Sequence, residues 1–444
     1  MRKFFFVALC AFACTAAHAG GLMTNTNYHI AFDRMFARGA STEIDAAYSN
    51  PAGLAWTHEG FQLSLNFQKP WQNRDIETTL SNIDGGVDYL KYAGKASAPI
   101  VPALFASYKK DMWAFSTMIG IVGSGGYVEY KDGVPMFNRL MSGMLANMAI
   151  YPSSYSIDSE MKGKQYIYGG QFNITRKIND NFSASIGIRA NYYDGFYRGH
   201  VKAIDHPQLG DLATLELDVD QRGWGFAPIV SFDYHNGPLT IGARYEFRTK
   251  IETKNKTNLL NAGLSQTLQA VVAQRNPAAL QQIATSLDTY TAEYKDGVKT
   301  RYDMPSLLVA AVGYEFTPKF RGALEYHFFD DKHAQMAGDR QKDLKHGTHE
   351  FLAGVEYDIN DKFTVSCGGQ RTDYGLTDEY QKDTSFACDS YSVGLGGAWN
   401  INEKMRLNVS YFCTLYSDYT KETIATDVYS RTNHVLGIGL DYKF

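Results

Sequence analysis

Past its first residues, the chain holds no run near the roughly 18 apolar residues that a membrane helix requires, and its mean hydropathy is −0.30. A helical membrane protein is excluded. A transmembrane β-barrel is not, because only alternate residues of its strands face lipid. Proline is scarce, at 12 residues, and no Pro- or Ser-rich linker divides the 444 residues into domains. Of five cysteines, Cys10 and Cys14 fall in the leading segment; Cys367, Cys388 and Cys413 remain, with no CxxC spacing. An odd number cannot close into a full disulfide set. GxSxG, HExxH and Walker sequences are absent, which removes the common hydrolase and nucleotide routes. The formal net charge of −4 argues against nucleic acid as a partner.

What is present begins with "MRKFFFVALCAFACTAAHAGG". Arg2 and Lys3 precede an apolar core, Phe4 to Ala17, and Ala17-His18-Ala19 is a small-x-small cleavage signal. Residues 1–19 are expected to be a secretory signal peptide. A lipoprotein reading through Cys14 fits poorly, because Ala11 and Phe12 precede it. Aromatics reach 14%, with 30 tyrosines, and membrane barrels carry aromatic girdles at both interfaces.

The last residues read "NHVLGIGLDYKF". Leu436, Ile438, Leu440, Tyr442 and Phe444 share one face, opposite Val435, Gly437, Gly439, Asp441 and Lys443. This period of two recurs at Phe182–Ala190, Leu239–Phe247, Phe351–Ile359 and Met405–Cys413. The connections alternate strictly. Short turns at 109–111, 178–181, 235–238, 317–319, 359–362 and 400–404 separate long segments near 70–100, 131–161, 205–212, 254–296, 331–348, 374–385 and 418–430. A soluble sandwich has no reason to do this, whereas an outer-membrane barrel has short periplasmic turns and long external loops. The expected fold is all-β: a transmembrane antiparallel barrel of 14 strands over 60–444. They lie near 60–69, 101–108, 112–130, 162–177, 182–204, 213–234, 239–253, 297–316, 320–330, 349–358, 363–373, 386–399, 405–417 and 431–444.

Residues 20–59 precede the first strand and include "IDAAYSNPAGLAW". Asn50 suits a helix N-cap, Pro51 the first helical position, and Gly53 a stop after one turn. The expectation is a tight corner in an N-terminal plug held in the lumen. The signal, the forty-residue segment, Asn50-Pro51-Ala52, fourteen strands and a terminal Phe444 together resemble the FadL-type family of outer-membrane long-chain fatty-acid and hydrocarbon transporters. The resemblance implies a hatch that plugs the barrel, a kinked third strand that opens the wall sideways, an external groove that captures ligand, and passive release into the membrane without a cofactor. It implies a monomer in the bacterial outer membrane whose partners are lipid and hydrophobic small molecules.

Candidate residues follow. "MWAFSTMIGIVGSGGYVEY" carries Gly120, Gly123, Gly125 and Gly126 on strand three, and interior glycines mark bulges or bends; they are the candidate kink, although lumen glycines with nothing to pack would read the same. Met136, Phe137, Leu140, Met141, Met144, Leu145 and Met148 recur at helical spacing in the first external helix. Either they pack on neighbouring loops or they form a capture surface suited to ligands of variable shape. Leu260, Leu264, Leu268, Val271, Val272, Leu280, Ile283 and Leu287 suggest two amphipathic helices that pair with the first. Arg189, Arg244, Glu246, Arg248 and Glu356 fall on the inward parity, where charges pair with one another or hold a plug. His327, Asp330, Asp331, His333, His346 and His349 match no compact metal site and are expected in a solvated external loop. No catalytic residue is expected. The rival readings are a passive channel for small polar or aromatic solutes, an outer-membrane phospholipase-like enzyme, and a surface-binding barrel.

Overall fold

The computed structural model describes residues 23–25, 27–79, 90–98, 100–423 and 425–444. The expected signal peptide and the first residues of the plug lie outside them. The alternation does what its period requires: one face of every strand turns outward and the other lines a lumen. Among the described residues, fourteen antiparallel strands close into one barrel. They are β1 Gly60–Thr78, β2 in two segments (Leu90–Ser97 and Val101–Lys110), β3 Trp113–Tyr130, β4 Ser156–Lys177, β5 Phe182–Ile204, β6 Ala213–Asn236, β7 in two segments (Leu239–Glu246 and Glu252–Leu264), β8 in two segments (Lys299–Arg301 and Leu307–Thr317), β9 Phe320–Phe329, β10 Thr348–Asp358, β11 Phe363–Asp373, β12 Ser390–Asn400, β13 in two segments (Met405–Tyr416 and Tyr419–Glu422) and β14 Thr426–Lys443. Pairing of β1 with β14, from Gln62↔Lys443 to Thr78↔Asp427, closes the cylinder.

The outer face shows where lipid ends. Phe61–Phe444 (5.0 Å), Phe182–Tyr234 (4.8 Å) and Phe363–Trp399 (6.1 Å) ring the short-turn end. Above them Ile186, Ile188, Phe232, Leu324, Leu436 and Ile438 are exposed. Strands β5 and β6 have 23 and 24 residues, about twice the 9–11 that a bilayer needs. Their surplus rises outside the membrane. Beyond the Tyr192–Trp224 contact (4.7 Å) the outward side chains turn into ion pairs: Lys164–Asp194 at 2.6 Å, Arg198–Asp218 at 3.0 Å and Lys202–Glu216 at 2.6 Å. That charge explains why parts of the expected loops are strand instead. Residues 70–78 extend β1, 90–97 begin β2, 156–161 begin β4 and 254–264 extend β7, because outside the bilayer neither face of a strand must be apolar.

The segment before β1 fills the lumen, with α1 (Ile30–Met35), α2 (Ala46–Ser49) and a 3₁₀ turn (Pro51–Trp56). Its fit depends on glycine. A methyl group at Gly354 or Gly368 would overlap the Met35 carbonyl, one at Gly394 the Asp33 carbonyl, and one at Gly242 the Gly39 carbonyl. Lumen glycines therefore form the seat on which the plug backbone rests. Buried charges secure it. Arg34 pairs with Glu356, Arg406 with Glu43, and Arg38 with Asp45 and Glu43, both at 2.7 Å. The Arg38 and Gly39 amides both donate to Glu325 Oε2 at 2.6 Å. Arg189 pairs with Glu246, and Arg244 donates to the Tyr48 carbonyl. Arg248 departs from the expected lumen position. It lies between the two segments of β7, is 38% exposed, and donates to the His333 carbonyl. His327 also departs from its expected external loop. It sits on β9, partly buried, between Glu325 (2.5 Å) and Glu350 (2.9 Å).

Asn50, Pro51 and Ala52 anchor the plug by an unexpected geometry. The Asn50 side chain makes no cap bond, and the 3₁₀ turn runs through Gly53 to Trp56. Asn50 Nδ2 instead donates to the Gly39 carbonyl (3.0 Å) and to Asp233 Oδ2 (3.1 Å) on β6. The Ala52 amide donates to Ser231 Oγ (3.0 Å), while Thr175 and Ser183 donate to the Pro51 and Ala52 carbonyls (2.8 and 2.7 Å). The tripeptide is a polar weld between plug and wall.

Two variants test this seat. Gly354→Val forces a side chain into the Met35 carbonyl, and overpacking of this kind costs about 1–3 kcal/mol; the expected result is a displaced plug, read as raised ion conductance in planar bilayers. Asn50→Ala leaves Asp233 buried without its amide partner, a loss of about 1–3 kcal/mol; faster proteolytic nicking within residues 23–59 of the folded barrel is expected. Wild-type conductance and nicking rates would contradict the respective assignments.

Candidate functional site

A strand in hydrocarbon must pair on both sides or find another partner for each backbone group. Strand β3 fails to pair on one side over part of its length. Its ladder with β2 stops at Leu104↔Ile119 and resumes only at Ala96↔Val128. Between them, among the described residues, 120–127 have no ladder partner on β2, and β2 itself is broken between its segments. The ladder between β3 and β4 continues across this region but slips twice, between Ile121 and Gly123 and between Ser124 and Gly126. Gly126 has φ +76° with open space where a Cβ would stand, a backbone that L side chains adopt only with strain. Of the four candidate glycines, Gly125 is the extra residue at the second slip, Gly126 follows it, Gly123 follows the first slip at Val122, and Gly120 keeps regular register with β4 just before it.

A cavity open on one side lies directly inside this gap. Tyr28 and Asn25 of the plug form part of its base, Ala96, Ala98 and Val101 belong to β2, and Ser124 to Tyr127 belong to β3. Tyr166, Tyr374, Tyr416 and Phe412 add rings, and Arg74 and Arg431 add charge. Asn50, Pro51 and Ala52 do not line it; they fix the plug to the short-turn ends of β4, β5 and β6.

The external face is built by the loops. Helix α3 (Pro135–Ala146) follows β3, and α4 (Gln266–Arg275) and α5 (Pro277–Thr291) follow β7. Met141, Met144, Leu145, Leu264, Leu268, Val272 and Leu287 are buried in one cluster with Val201 and Leu215 of the raised strands, and Leu140 and Met148 pack at its edge. Most of the expected capture surface is thus packing between loops and wall. Leu260 and Leu264 are strand residues of β7, not helical. Phe137 and Leu260 do line an apolar hollow, together with Met161, Tyr197, Leu215, Leu217, Tyr290 and Tyr294. The hollow adjoins further cavities on its inner side. Tyr197 and Thr384 line both it and a smaller cavity, and that cavity shares Arg74, Gly125 and Gly126 with the lumen cavity. Over the mouth, the loops carrying Arg340 and Ser385 lock together, with Arg340 donating to the Tyr380 and Ser385 carbonyls at 2.5 and 2.6 Å.

Residues 259–444 match a family model described as the outer membrane protein beta-barrel domain. A search by sequence among curated proteins finds no match. Solved structures do match over nearly the whole chain. A Pseudomonas aeruginosa FadL homologue superposes with a TM-score of 0.64 at 13% identity, covering 98% of this chain and 99% of that one. The toluene transporter TodX of Pseudomonas putida gives 0.57 at 12% identity, covering 92% and 98%, and the toluene transporter TbuX of Ralstonia pickettii gives 0.52 at 12%, covering 90% and 94%. With the closed wall, the lumen plug and the gap beside β3, the chain has the fold of the FadL-type outer-membrane β-barrels.

Proposed function

We propose that this barrel carries hydrophobic compounds, long-chain fatty acids or similar molecules, passively from the cell surface into the outer membrane. The single observation that carries the reading is the unpaired stretch of β3 placed against a cavity above the plug. A hole in the wall of a membrane barrel is costly unless something passes through it. Ligand is taken from the apolar hollow at Phe137 and Leu260, moves past Tyr197 and Thr384 to the lumen cavity, and leaves sideways between β2 and β3. Plug residues 23–59 close the straight route through the lumen, so an apolar molecule never has to cross water. No catalytic step and no energy source are needed. The transporters of similar fold support the same reading, since two of them are described as toluene transporters.

Blocking the gap tests it. Ser124→Trp places an indole at the opening, and uptake of labelled oleate by cells expressing the variant should fall at least about tenfold, a barrier of about 1.4 kcal/mol. Asp180→Trp, on a fully exposed short turn, should leave uptake unchanged. Wild-type uptake by a folded Ser124→Trp barrel would contradict the lateral route.

A further inference from the structure

Arg74 on β1 and Arg431 on β14 stand directly opposite each other in the closing ladder. Both point inward and line the lumen cavity. Like charges directly opposite on neighbouring strands destabilise a sheet, and a buried charge without a counter-ion costs more still. Elsewhere in this lumen that cost is offset by carboxylates, as with Arg34, Arg38, Arg189 and Arg406. Here, among the described residues, no carboxylate pairs with either arginine. Arg74, 7% exposed, donates to the Gly125 carbonyl at 2.7 Å and to Gln72 Oε1 at 3.2 Å. Arg431 stacks over the Tyr416 ring at 4.6 Å, and its buried Nε has no acceptor. Two guanidinium groups with unused donors therefore face one cavity.

We propose that Arg74 and Arg431 form a binding site for the carboxylate of an aromatic acid, which makes the cavity selective for acidic ligands over neutral hydrocarbons. This rests on the transport reading above and adds the ligand's head group and body. The planar, fixed fork of a guanidinium matches a carboxylate, and two of them surround both of its oxygens. The body follows from the remaining walls. Five tyrosines (Tyr28, Tyr127, Tyr166, Tyr374 and Tyr416) and Phe412 line the cavity, whereas its aliphatic lining is limited to small residues such as Ala96, Ala98, Val101 and Val435. Ring faces of this kind favour an aromatic body over a flexible acyl chain. Arg74 also holds the Gly125 carbonyl at the second slip of β3, so a ligand on the arginine pair lies beside the exit.

Binding of four probes to the full barrel in non-ionic detergent tests this: cinnamate and cinnamyl alcohol, laurate and lauryl alcohol. Cinnamate is expected to bind at least about tenfold more tightly than cinnamyl alcohol, the scale of hydrogen bonds to a charged group. Arg431→Gln should bring cinnamate to the affinity of its alcohol and leave both alcohols unchanged, Arg431→Lys should retain part of the preference, and Arg74→Gln should repeat the loss. Retained heat-modifiable migration on gels establishes that each variant is folded. Equal affinity for acid and alcohol in the wild type, or an equal loss of both in Arg431→Gln, would overturn the anion site while leaving transport of hydrophobic compounds intact. Tighter binding of laurate than cinnamate would overturn the aromatic body. Binding of none of the four probes would overturn the site and the transport reading together.

Discussion

A peptide group in hydrocarbon has no water to bond with, so each must find its partner within the protein. This requirement shapes the molecule more than any contact between side chains. It forces the first strand onto the last, from Gln62↔Lys443 to Thr78↔Asp427. It also makes the sequence alternate, because once the backbone is closed only the outward face must suit lipid. The interior is then free to be polar, and it is. Gln62, Ser64, Asn66 and Gln68 line β1 inward, and the plug is welded in by charge and amide bonds more than by apolar packing.

Against that background the gap beside β3 is the informative exception. The breaks in β7 and β8, at 247–251 and 302–306, are closed by partners within the protein: Thr249 and Met304 bond each other's backbone, the Phe247 amide donates to the Pro228 carbonyl, and the Ile251 amide donates to Asp303. The break opposite residues 120–127 adjoins a cavity, and one of its carbonyls, Gly125, is served by the Arg74 guanidinium of β1. Wall, plug and cavity thus depend on one another. Glycines make room for the plug, the plug forms a base for the cavity, and the cavity supplies the bond that the broken ladder lacks.

Much of this was legible in the chain, and the limits have physical causes. Strands within the bilayer were readable because their outward face must be apolar while the inward face is polar or small; 349–358 and 363–373 match β10 and β11 closely. Residues 70–78 were not, since above the membrane their outward side chains are as polar as a loop, and Pro70 begins the stretch. The glycines of β3 were visible as a group, but only the register with β4 separates Gly123, Gly125 and Gly126, at the slips, from Gly120. Asn50 was singled out for the wrong bond, because its true partners, Gly39 and Asp233, are distant in sequence or held by tertiary packing. The arginine pair was invisible. Arg74 and Arg431 meet only across the closing seam, and no local pattern aligns the first strand with the last. For the same reason, the methionine stripe of α3 could not be told from a packed helix face until its neighbours were known.

The most direct measurement is photolabelling by a photoactivatable apolar ligand bound to the barrel in lipid, with the labelled residues mapped by mass spectrometry. The lateral account predicts labels on Ala98 and Val101 and on 124–127 of β3, together with cavity residues such as Tyr28 and Tyr166. Labels gathered instead at the periplasmic mouth around Trp56, Ile401 and Met405, with none at the gap, would mean that the ligand travels straight through the lumen and that the opening in the wall is not its exit.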